Sequence, residues 1–133
     1  MDILFSIWLV LFGQKIQTQV NTTTQYETVR LAVQREFGQE TDLALAIFRA
    51  ESGLVPSREG DHGSSIGIAQ INLPAHGGKI PAQDKKAWLK NFQNNIKLAK
   101  QIRCSSGWSA WSVYKNGAYR AFYKSETEPP SSC

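Results

Sequence analysis

The chain has 133 residues, enough to close one compact domain around a core and too few for two. With 41% apolar and 20% charged residues, it has the balance of an ordinary soluble globular protein. The net charge of +4 fits a solvated surface or attraction to a polyanion (nucleic acid, an anionic membrane or an anionic cell-wall polymer), and without a Lys/Arg block or basic–aromatic interleaving nucleic acid ranks low.

Taken in chain order, Ile3 to Gly13 is continuously apolar. It is shorter than the roughly 20 residues a spanning helix needs. It has the length of a signal-peptide core, yet Asp2 rather than a basic residue precedes it, and Gly13-Gln14-Lys15 is a poor cleavage site. A degenerate signal, a membrane anchor through Ile3–Phe12, and a start slightly downstream of the true one all stay open. Each implies export to a periplasmic, cell-surface or membrane-anchored location, or a phage-borne protein. An N-terminal helix packed on the domain is the other reading. Residues 14–25, rich in Gln, Thr and Asn, read as a linker.

The folded domain is expected over 26–124. Val29, Val33 and Phe37 recur every fourth residue, with Leu31 and Ala32 widening the stripe, so the spacing predicts a first helix capped by Gly38. Thr41 is placed as the N-cap of a second helix through Asp42–Glu51, with Leu43, Ile47 and Ala50 on one face. Ser52 to Ser65 reads as loop, with a small β-hairpin ending at Ile66–Ile71, and Pro74–Pro81 as turns. A third helix is predicted over Asp84–Asn91. A fourth carries Phe92, Ile96, Ala99 and Ile102 inward. Short helical pieces follow at Ser109–Val113 and Ala118–Tyr123, and residues 125–133 read as a disordered tail. The expected fold class is mainly α, of the α+β kind, with an irregular β-hairpin insert after the second helix.

Cys104 and Cys133 could form one bridge, but Cys133 lies in a polar terminal segment of the kind that is usually mobile, so a stable staple is not the favoured reading. His62 and His76, far apart and without a metal-binding context, read as loop residues. No metal or organic cofactor is expected, and the protein is expected to be a monomer. Of Trp88, Trp108 and Trp111, at least two should be buried, and Trp108 and Trp111 can share a face.

Glu51 stands out. It lies one helical turn after Ile47, on the face marked as buried. Burial penalises a charged carboxylate, and the negative end of a helix acts in the same direction. An acid that keeps its proton near neutrality is what protonation of a departing sugar oxygen requires. A surface glutamate paired with Arg49 or Arg58 is the plain alternative.

AIFRAESGLVP, SIGIAQIN, NFQNNIKLA and WSVYKNGAY occur in that order between Asp42 and Phe122. In order and spacing they resemble the lysozyme-like domain of soluble lytic transglycosylases and goose-type lysozymes. The resemblance implies that Glu51 is the catalytic acid/base and that Ser52 contacts substrate or bonds locally at the helix end. It implies that Gly67, Ile68, Ala69 and Gln70 form a cleft wall. Gly67 would admit close approach of a saccharide, and Gln70 would bond to sugar groups or to its own hairpin. Ser65 and Asn72 flank that wall as further substrate contacts. Asn95 and Ile96 take packing and hydrogen-bonding roles. Tyr114 reaches the cleft near the acid or is a core aromatic. The family's Tyr-Asn-Ala-Gly reads Tyr-Lys-Asn-Gly here, so Lys115 is inserted and Asn116 is displaced by one.

Where several lysozymes carry a second acid, Ser65 stands; Asp61 and Glu59 are the nearest substitutes. One well-placed acid points, by resemblance, to a lytic transglycosylase. It would cleave the bond between N-acetylmuramic acid and N-acetylglucosamine in peptidoglycan glycan strands and leave 1,6-anhydro ends. A hydrolytic muramidase and a non-catalytic wall-binding domain remain as alternatives. So does a component of a secretion or phage apparatus that docks through its apolar N-terminus.

Overall fold

The structure is a computed structural model that describes residues 24–133. The apolar Ile3–Phe12 segment and most of the expected linker lie outside the described residues. Residues 24 and 25, assigned to that linker, are already helical.

Helix α1 (24–37) buries Val29, Ala32, Val33 and Phe37, spaced three or four apart. Leu31 faces outward at 51% exposure, so the stripe is narrower than its apolar sequence suggested. Gly38, at φ 53°, turns the chain through a 3-10 segment, Gly38–Glu40, straight into α2 (Thr41–Ser52). Thr41 is therefore not a cap. It is already helical, and its hydroxyl donates back to the Gly38 carbonyl. α2 is the central helix: Leu43 through Phe48 are all buried, as befits a helix covered on nearly every side.

The insert follows. Strands β1 (Glu59–Gly60), β2 (Ser65–Ile66) and β3 (Ile71–Asn72) form an antiparallel sheet in chain order, with Glu59 opposite Ile66 and Ile66 opposite Ile71. One more strand is present than the expected hairpin has. Pro74–Pro81, expected as turns, contains the short helix α3 (Leu73–His76) and a 3-10 turn. Helices α4 (Lys85–Lys90) and α5 (Phe92–Ser106) each begin on a side-chain cap. Asp84 accepts from Ala87 N–H and Asn91 from Asn94 N–H, both at 3.0 Å. α6 (Ser112–Lys115) takes in Tyr114 and Lys115, which fall between the two helical pieces expected at Ser109–Val113 and Ala118–Tyr123. The fold is thus a mainly helical small domain with a short three-stranded antiparallel insert.

Phe37, Phe48, Trp108 and Trp111 pack ring to ring at the centre, with Trp108 and Trp111 centroids 5.4 Å apart. Both tryptophans are buried, and Trp88 is half-buried.

The tail expected to be disordered has no helix or strand, yet it is tied down. A disulfide joins Cys133 to Cys104, 29 residues away in sequence. Ser132 donates its N–H (2.9 Å) and hydroxyl (2.6 Å) to Glu40. These partners lie too far away in sequence for local composition to reveal them.

Candidate active site

Glu51 occupies the last turn of α2. Gly53 ends that helix in the left-handed region, φ 66°, and its N–H returns to the Arg49 carbonyl at 2.9 Å. Ile47, one turn earlier, is fully buried, and Glu51 beside it is half-buried. Among the described residues no cation pairs with Glu51. Arg49 instead lies over the rings of Tyr26 and Phe122. Burial, and secondarily the charge of Asp61, lift the Glu51 carboxyl from 4.5 to about 7. The carboxyl therefore holds a substantial share of its proton at neutral pH.

A pocket of about 230 Å³ opens beside Glu51. The insert supplies one wall, with Asp61, Ser65, Gln70, Asn72 and His76. Trp111, Ser112 and Lys115 supply another. Asp61, at φ 51°, starts a tight left-handed turn continued by His62 and Gly63, and its carboxylate accepts from the Ser65 hydroxyl at 2.6 Å. Gln70, also left-handed at φ 51°, folds its amide back to donate to the Arg58 and Gly67 carbonyls. Asn72 lines the pocket while capping α3 through Ala75 N–H. His76 Nδ1 is the one buried side-chain polar atom without a hydrogen-bond partner among the described residues. Burial, and secondarily Lys79, lower the pKa of that imidazole.

Asn95 of α5, fully buried, holds the insert in place. It accepts from Ala69 N–H at 2.9 Å and donates to the carbonyls of Ile66 (2.9 Å) and Leu89 (3.0 Å). Trp111 completes the attachment, its indole N–H donating to the Ala69 carbonyl at 2.9 Å.

Several residues expected to touch substrate face inward. Ser52 is buried, and its hydroxyl donates to the carbonyls of Ile68 and Phe48 and accepts from Leu54 N–H. It ties the end of α2 to the insert. Gly67, at φ 82°, is needed for a different close approach from the one expected. A Cβ there would sit 2.3 Å from Asn95 Nδ2 and 2.7 Å from the Leu89 carbonyl, so protein rather than saccharide fills the space. Ile68 and Ala69 are fully buried core. Tyr114 does not line the pocket; its ring stacks on Tyr119 and its hydroxyl donates to Glu128 of the tail. Asn116 accepts from Ala118 N–H and is likewise absent from the lining.

The pocket thus keeps Glu51, Ser65, Gln70 and Asn72 from the expected set. It adds Asp61, which the sequence offered only as a substitute, together with His76, Trp111 and Lys115. Glu59 is spoken for by Lys86 and Lys90, at 2.9 and 2.8 Å. A larger recess of about 500 Å³ beside Tyr26 and Leu54 has no acidic side chain. Among the described residues there is no cluster of three or more potential metal ligands, and no helix long and apolar enough to cross a membrane. Chemically, the arrangement offers a proton donor poised near neutrality in a polar recess, with a second carboxylate on the facing loop. Comparison with protein-family models, curated proteins and solved structures gives no match, so the resemblance in motif order stands on the residues that carry it.

Proposed function

We propose that the protein cleaves peptidoglycan, with Glu51 as the general acid and then the general base at the β-1,4 bond between N-acetylmuramic acid and N-acetylglucosamine. The observation that carries this reading is a half-buried Glu51, without an ion-pair partner among the described residues, on the wall of a polar pocket, its pKa lifted to about 7. Glu51 gives its proton to the glycosidic oxygen as the bond breaks. The substrate's acetamido group stabilises the cation. The Glu51 carboxylate then takes the proton of the muramyl 6-hydroxyl as that oxygen closes on the anomeric carbon, giving a 1,6-anhydro end and restoring the acid. The ordered motifs quoted above support this choice of substrate. The net positive charge suits an anionic wall polymer, and the Cys104–Cys133 disulfide suits an oxidising, extracytoplasmic compartment.

A hydrolytic route is the second reading, and Asp61 favours it. Its carboxylate lies in the same pocket and close enough to raise the Glu51 pKa, where it could orient a water.

Incubation of the purified protein with murein sacculi tests the proposal. Soluble muropeptides one water lighter than the hydrolytic products support transglycosylation. Products of full mass support the Asp61 route. Sedimentation with sacculi without release identifies a binding domain and overturns the enzyme reading.

A further inference from the structure

We propose that Lys115 is a specificity-determining cation of the Glu51 cleft, pairing with a carboxylate carried by the bound glycan. The inference rests on the glycan-cleaving reading above and names the substrate feature selected. Lys115 follows Trp111 by one helical turn, and both line the pocket that contains Glu51. Among the described residues it is the only Lys or Arg in that lining. The side chain is exposed and makes no ion pair or hydrogen bond with any described residue. Lys86 and Lys90, by contrast, hold Glu59, Arg103 holds Glu40, and Lys100 is bonded to Ser132 and the Glu36 carbonyl; what marks Lys115 among the unpaired cations is its place in this lining.

The Lys115 ammonium offers three N–H donors to a ligand in the recess that also holds Glu51. Asp61, in the same lining, repels an anionic substituent, and Lys115 attracts one. The two charges together orient a glycan that carries a carboxylate and give a neutral one no such bias. In murein that carboxylate has two sources: the free lactyl group of peptide-stripped muramic residues, and the stem peptide.

The test compares kcat/KM on three strands: murein glycan with its stems, glycan stripped of peptide, and stripped glycan with its carboxylates converted to methylamides. In Lys115→Gln the ratio of charged to neutral strand is expected to fall about three- to fivefold, the scale of an exposed ion pair. Lys115→Arg restores it, and added salt shrinks it in the wild type. A fall confined to stem-bearing strands assigns the stem carboxylate; a fall confined to stripped strands assigns the lactyl group. A ratio unchanged by Lys115→Gln, with the wild type active, overturns the inference alone. Wild-type protein that cleaves none of the strands overturns the enzyme reading and this inference with it.

Discussion

Helix α2 has a glutamate at each end, and the fold treats them in opposite ways. Glu40, the residue before the first turn, is 1% exposed, and Glu51, in the last turn, is half-buried. Burial raises the pKa of both. At Glu40 that push is overcome by donors: Ser132 through N–H and hydroxyl, Arg103 through its guanidinium and Trp108 through its indole N–H, so the carboxyl falls to about 2. The positive end of the helix acts in the same direction. At Glu51 no such donor arrives from the described residues, so burial prevails, the carboxylate of Asp61 adds to it and the helix presents its negative end, and the carboxyl rises to about 7. Burial sets the direction at Glu51 and is overruled at Glu40. The supply of donors separates a structural anion from a candidate proton source.

The largest effect expected from breaking this contrast is catalytic. Glu51→Gln should lower kcat on sacculi by about 10²–10⁴, the range of a lost general acid, while the protein stays folded. Full activity in that variant would move the acid elsewhere. Glu40→Gln should do the reverse. It strands Arg103 and should cost about 3–5 kcal/mol in a denaturant titration, while the folded fraction keeps its activity. Replacing Cys104 and Cys133 with serine frees the loop they close, with an expected loss of about 3–4 kcal/mol by chain entropy. A loss of activity beyond the loss of fold would tie the tail to the cleft.

The pH dependence of stability sharpens the same contrast. Glu40 has a depressed pKa, so its contribution is present above 4.5 and is lost as pH falls toward 2. Glu51 has a raised pKa, so the folded state binds the extra proton between 4.5 and about 7. Its penalty grows as pH rises through that window and is complete above it. Glu51→Gln should therefore be more stable than the wild type at pH 8, by about 1–3 kcal/mol, and no more stable at pH 4. An equal effect at both pH values would contradict a raised Glu51 pKa. Smallest of all, Ser132→Ala removes one hydroxyl donor from Glu40 and should cost about 1–2 kcal/mol.

Local signals were legible in the sequence. The stripe of Val29, Val33 and Phe37, the helix predicted over Asp84–Asn91, and Glu51 one turn after the buried Ile47 are all features that neighbours within a few residues determine. What escaped depends on partners far along the chain. Glu40 and Ser132 are 92 residues apart, and nothing around either announces the other. Ser52 and Gly67 fit a cleft motif, yet Ser52 serves the Ile68 carbonyl and Gly67 makes room for Asn95, contacts only the packed insert creates. Asp61 and Lys115 reached the pocket because a left-handed turn and the position of α6 aim them there, and one-dimensional spacing carries no such direction.

The most direct measurement is the titration of the Glu51 side-chain carboxyl by carbon-detected NMR, with Glu51→Gln to assign the signal. A midpoint near 7 is the predicted result. A midpoint near 4.5, the ordinary value for a glutamate, would leave no proton on this group at neutral pH and would contradict its role as the acid.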